Sequence, residues 1–163
     1  HNAETLLVDE ASGSIVIVTK EQRPVDGVPL DLAPTAPSLV FEGPLDGHGG
    51  GPVTLDLVGT IDTPELETRT IAATPHPTSI LGNGGVPTGG DVSADGALVA
   101  LRTYETVWVW PREPGRRVAE ALAGDPCQVL LASEPQGEAI AFDGDDLVSV
   151  SEGAGEVVHR VVP

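Results

Sequence analysis

Residues 89–110, GGDVSADGALVALRTYETVWVW, decide the fold class. The stretch opens on an acid, Asp91, and runs through a short apolar piece to Asp95. It turns at Gly96 and returns as the apolar run 98–101. The polar pair Arg102-Thr103 ends that run, and the β-branched and aromatic run 106–110 follows. Asp and Gly between two short apolar runs set the tight turn of a β-hairpin. The spacing therefore predicts extended chain on both sides of a turn at 95–97.

The same order of residues occurs twice more, as NAETLLVDEASGSIVIVTKE from residue 2 and QGEAIAFDGDDLVSVSE from residue 136. Each copy starts near an acid (Glu4, Asp91, Glu138) and ends its first strand at an aspartate (Asp9, Asp95, Asp143). Each turns at a glycine (Gly13, Gly96, Gly144) and closes its second strand on a polar pair. Hairpin turns are expected at 10–14, 95–97 and 143–146. Further short runs follow each hairpin, at 37–42, 53–61, 127–132 and 156–162. Four antiparallel strands in about 45 residues is the size of a propeller blade.

The expected architecture is therefore all-β: a single partial β-propeller domain over 1–163, with about 2.5 to 3 four-stranded antiparallel blades. The units fall at about 2–61, 88–133 and 134–163. Residues 62–87 carry four prolines and a run of glycines, and they read as an irregular insertion with a strand near 70–73. One short helix is expected at 116–123, where Val118, Ala119, Ala121 and Leu122 make an apolar stripe and Gly124 a C-cap.

The stretches AETLLVD with VTKE, TGGDVSADGALVALRTYETVWVWPR and EPQGEAIAFDGDDLVSVSEG resemble a family of actinobacterial β-propeller proteins. That family is mostly uncharacterised, is often predicted to be secreted, and has phytase-like and esterase-like relatives. The resemblance covers most of residues 2–21 and 88–163. It implies a propeller about twice as long as this chain, whose carboxyl-terminal half the chain resembles. It also implies an extracellular or cell-envelope location. The expected partner is then an amino-terminal half-propeller or a second copy of the chain.

Composition narrows the partners. The 163 residues hold 25 Asp+Glu against 8 Lys+Arg, a formal net charge of -17. Such a surface repels phosphate backbones and anionic headgroups, so nucleic acid is excluded as a natural partner and cations are favoured. No apolar run reaches membrane-spanning length. There is no methionine, so His1 is not a translation start. The single Cys127 has no internal partner and sits in an apolar stretch, which predicts a buried thiol.

In a propeller the first strand of each blade lines the axis, so an acid at its start returns once per blade. Glu4, Asp91 and Glu138 are thus expected near one channel mouth, where carboxylates together suit Ca²⁺. Lys20 and Arg102, one strand later, are candidates to face an anionic ligand. The plainer alternative has each acid accept backbone N–H bonds and pin its blade to the next. Two function classes follow: a binding or scaffold propeller, or a metal-dependent, phytase-like phosphoesterase.

Other motifs carry less. Residues 143–146, DGDD, read as a solvated turn, because an EF-hand needs carboxylates at every second position. Residues 48–51, HGGG, lack the nucleophile elbow an esterase oxyanion loop requires. The four histidines show no metal spacing. Trp108 and Trp110 share a strand face and read as packing between blades, with a ligand-stacking platform as the alternative.

Overall fold

The computed structural model describes residues 2–29, 33–46, 51–73, 84–132 and 134–162. Strand dominates, and three antiparallel sheets follow one another along the chain. The first sheet runs β1 (Asn2–Asp9), β2 (Ser14–Lys20), β3 (Ser38–Pro44) and β4 (Asp56–Ile61), each paired with its neighbour in sequence. Helix α1 (Thr63–Ala73) leads into the second sheet: β5 (Pro87–Val92), β6 (Leu98–Thr103), β7 (Thr106–Pro111) and β8 (Cys127–Leu130). Helix α2 (Val118–Leu122) lies between β7 and β8. The third sheet holds β9 (Gly137–Asp143), β10 (Asp146–Ser151) and β11 (Val158–Val161).

The three repeated hairpins are β1–β2, β5–β6 and β9–β10, as the sequence predicts. Their turns are made by Gly13, Gly96 and Gly144, all at positive φ, where a side chain would be strained. The first strands of the sheets lie side by side, β1 against β5 and β5 against β9. Close approach at β5 depends on Gly89 and Gly90. A Cβ on Gly90 would meet Leu7 and Thr5 of the first sheet, and one on Gly89 would meet the Glu138 backbone of the third.

Each sheet buries alternate residues, so the core is two slabs. Between the first and second sheets, Leu7, Val16, Val18 and Val40 meet Val99, Leu101, Trp108 and Trp110. Between the second and third, Ala100 and Val107 meet Ile140 and Leu147. Both tryptophans are buried, in the packing role rather than as an exposed platform. Helix α2 adds Val118 and Leu122 to the first slab, and it is shorter at both ends than the 116–123 stripe suggested.

Residues 63–73 depart from expectation: they are helical, and the strand near 70–73 does not form. Asp62 accepts the Glu65 N–H on its side chain (3.2 Å) and Pro64 sits in the first turn, where its missing N–H costs nothing. Thr63, Leu66 and Thr70 form the buried stripe at helical spacing. Residues 74–83 lie outside the described residues, as do 48–50 of the HGGG motif.

Cys127 also departs: its side chain is exposed. It opens β8, the outermost strand of its sheet, where alternation no longer means burial on both faces. The folded protein should therefore titrate one thiol with an aromatic disulfide reagent, without denaturant and within minutes. A thiol that reacts only after unfolding would contradict this exposure.

Candidate functional site

The turn ends of the adjacent first strands enclose a cleft of about 320 Å³. Its apolar walls include Val8, Val92 and Phe142, and its acids are Asp9, Glu10 and Asp91. Among the described residues, no Lys, Arg or His lines it.

Asp91 is fixed by backbone donors. One carboxylate oxygen accepts the N–H of Phe142 on β9 at 2.8 Å, and the other accepts that of Val92 at 2.9 Å. Asp91 thus ties the second sheet to the third, as the plainer alternative foresaw for this acid. Asp9, at the end of β1, is held by Arg112 just beyond β7. The guanidinium reaches its carboxylate at 2.6 and 3.3 Å and also donates to Gly96 O at 2.6 Å. Ser12 Oγ donates to Asp9 at 2.6 Å. Burial alone would raise the Asp9 carboxyl, but the bonds from Arg112 and Ser12 outweigh it and hold the group below the ordinary aspartate value.

The register separates the three expected acids. In each first hairpin one residue is bulged out of the ladder: Glu4 between Ala3 and Thr5, Thr88 between Pro87 and Gly89, Glu138 between Gly137 and Ala139. Glu4 and Glu138 are therefore equivalent, and Thr88, not Asp91, is their counterpart. Asp91 lies three residues further along, level with Leu7 and Ala141, and lines the cleft at the turn end. Thr88 Oγ1 donates to Gly137 O at 2.8 Å, doing with a hydroxyl what a carboxylate cannot. Among the described residues no group of three or more His, Cys, Asp or Glu is placed to hold a metal ion.

At the starting end, Lys20 Nζ donates to Glu4 and to Tyr104 Oη, both at 2.6 Å, which links the first sheet to the β6–β7 turn. Burial would lower the Lys20 pKa, yet the bonds to Glu4 and Tyr104 leave it raised. Glu138 accepts from Gln136 at 2.9 Å.

Arg102 is enclosed between the second and third sheets. Its guanidinium is 3.1 Å from Glu134, and both side chains are 1% exposed. Ser149 Oγ donates to Glu134 at 2.6 Å. A Cβ on Gly137 would collide with the guanidinium, so only glycine leaves room for it. Desolvation lowers the Arg102 pKa, with Glu134 opposing. Glu134 and Arg112, the partners in the two buried pairs, had no signal of their own in the repeat: each lies outside the hairpin pattern. No family model matches the chain, and no curated protein matches it.

Proposed function

We propose that the chain is a binding module of the β-propeller kind, a part-ring of three blades whose axial cleft takes a cationic group. The side-by-side packing of β1, β5 and β9 carries this reading, because it is the relation that first strands of successive blades have. Asp9 is paired with Arg112 and Asp91 already accepts two backbone N–H bonds, so the charge the lining offers is that of Glu10 with what remains on Asp91; with apolar walls and no basic side chain among the described lining residues, it suits a cation with some apolar surface better than an anion. The fold alone assigns no activity.

Ca²⁺ is one candidate, an organic ammonium another. Of the acids first grouped as metal ligands, the reading keeps Asp91 and leaves Glu4 and Glu138 at the opposite end of the strands. The phosphoesterase alternative asks Lys20 and Arg102 to face an anionic substrate. Their cationic ends are engaged by Glu4 with Tyr104 and by Glu134, so the binding reading is preferred.

Calorimetric titration tests it, with Ca²⁺ and with choline as probes. Heat of binding is expected with at least one probe. It should fall at least tenfold in affinity in Glu10→Gln and in Asp91→Asn, and persist in Glu138→Gln. Because Asp91 also ties two strands, the exposed Glu10 is the cleaner variant. Heat that is insensitive to Glu10 and Asp91 would move the site elsewhere, and no heat with either probe would leave a scaffold without this ligand.

A further inference from the structure

Four Asp-Gly steps punctuate the sequence, at 26–27, 46–47, 95–96 and 143–144. Two of them turn the repeated hairpins. The step is chemically labile as well as flexible. The glycine amide nitrogen can attack the aspartate Cγ, forming an N–Cγ bond while the acid hydroxyl leaves with the amide proton as water. The cyclic imide that results takes up water at either carbonyl. Breaking the new N–Cγ bond restores aspartate. Breaking the old peptide C–N bond leaves isoaspartate, with the main chain routed through Cγ. Water is the only co-reactant. Glycine favours the attack because no Cβ shields its nitrogen. In a folded chain the rate then depends on whether the nitrogen and the carboxyl are free to meet.

At 95–96 both groups are held. The Gly96 N–H donates to Ser93 O at 2.7 Å, and the Asp95 carboxylate accepts from Ala97 N–H at 3.0 Å and from Ser93 Oγ at 2.8 Å. The bonds from Ala97 and Ser93 keep the Asp95 carboxyl below its ordinary value, so less of the neutral acid that loses a hydroxyl is present. At 143–144 the hold is weaker. Asp143 is locked opposite Asp146 in the β9–β10 ladder, and its carboxylate pairs with Arg160, but that pair is half exposed. At 26–27 neither hold exists. Asp26 and Gly27 are exposed and lie outside every strand and helix. Among the described residues, neither the Asp26 carboxylate nor the Gly27 N–H has a hydrogen-bond partner. The turn is closed by Val28 N–H on Val25 O at 3.1 Å, and Gly27, at φ +77°, has open space around the position of a Cβ.

We infer that Asp26 is a site of spontaneous isoaspartate formation in the folded protein, ahead of Asp143 and far ahead of Asp95. The loop can absorb the change, because its stem is tied away from the turn. Arg23 N–H donates to Pro34 O at 2.7 Å, Ala36 N–H donates to Glu21 O at 3.0 Å, and Gln22 bridges Thr35. The product keeps the carboxylate but lengthens the main chain by one carbon. It gives the loop an isoaspartyl α-carboxylate, the group on which repair methyltransferases act. The inference is independent of what the cleft binds, so failure of the cation titration leaves it untouched.

The test follows the folded chain, kept warm at neutral pH for weeks, beside a sample held unfolded in urea. Both are digested, and electron-transfer fragmentation distinguishes isoaspartate from aspartate at each site. The steps Asp46-Gly47 and Asn83-Gly84 each have one member outside the described residues and are read separately. In the folded sample isoaspartate should form at 26 at least about tenfold faster than at 95, with 143 between them. In urea the three rates should come within about threefold of one another, since the same dipeptide has then lost its holds. Asp95 keeping pace with Asp26 in the folded sample overturns the inference. So does an unchanged spread in urea, which would trace the order to neighbouring side chains and not to the fold. Conversion at 26 that appears only in step with loss of the folded circular dichroism spectrum overturns it as well, because the reaction would then run through unfolded chain.

Discussion

Glu134→Ala is expected to lower the unfolding free energy by about 3–5 kcal/mol, because it leaves the Arg102 guanidinium buried without a counter-charge. For a chain of this length that is about 6–20 °C in melting temperature, and a large share of a total stability of about 5–15 kcal/mol. Water cannot easily reach the orphaned cation: Arg102 is 1% exposed, and the Gly137 backbone lies against its guanidinium. The charge must then stay unpaired or the interface between the second and third sheets must open. Replacing both partners, as Arg102→Met with Glu134→Leu, should recover most of the loss, since two apolar side chains bring no desolvation cost. Glu113→Ala is the control. That residue pairs with Arg116 on the surface, with side chains 80% and 55% exposed, and its loss should change stability by less than about 0.5 kcal/mol. If Glu134→Ala and Glu113→Ala melt together, the buried pair does not hold these sheets.

The same pair shows where sequence reading stops. The hairpins were legible because an Asp-Gly turn between apolar runs is a local signal, complete within about fifteen residues. Arg102 was legible only as a cation at a strand end, and nothing nearby said whether it faced solvent or a neighbour. Its partner lies 32 residues on, in a connecting segment with no periodicity. The ring of acids failed for a related reason. Glu4, Asp91 and Glu138 align by residue type, but the register is set by the bulge in each first strand, and a bulge leaves no mark in composition. A three-residue offset carries Asp91 from one end of the strand bundle toward the other. Helix α1 was hidden differently: Pro64 reads as a breaker until its place in the first turn after Asp62 is known. The exposure of Cys127 depends on β8 being the last strand of its sheet, which alternation along β8 cannot reveal.

Asp9→Asn should cost about 3 kcal/mol at neutral pH, and the part of this cost that depends on the carboxylate charge should be lost in acid. The substitution keeps the shape of the side chain and removes the charge that Arg112 is buried against, with the two side chains 3% and 7% exposed. The folded-state pKa of Asp9 is lowered. A carboxyl with a lowered folded pKa contributes stability that is fully present above its unfolded value, about 3.9, and is lost as pH falls through the folded value. Wild type should thus lose this contribution only below about pH 4. The variant, with nothing to titrate at this position, should show no corresponding loss. Other carboxylates titrate in both proteins, so the difference between them, taken from urea unfolding at matched pH, isolates Asp9. It should stay level from pH 7 to about 5 and narrow as pH falls below about 4. A difference that holds its full size at the acid end would mean that the carboxylate stabilises by shape and hydrogen bonding alone. The charge pairing that ties the β1–β2 turn to the end of β7 would then have to be abandoned.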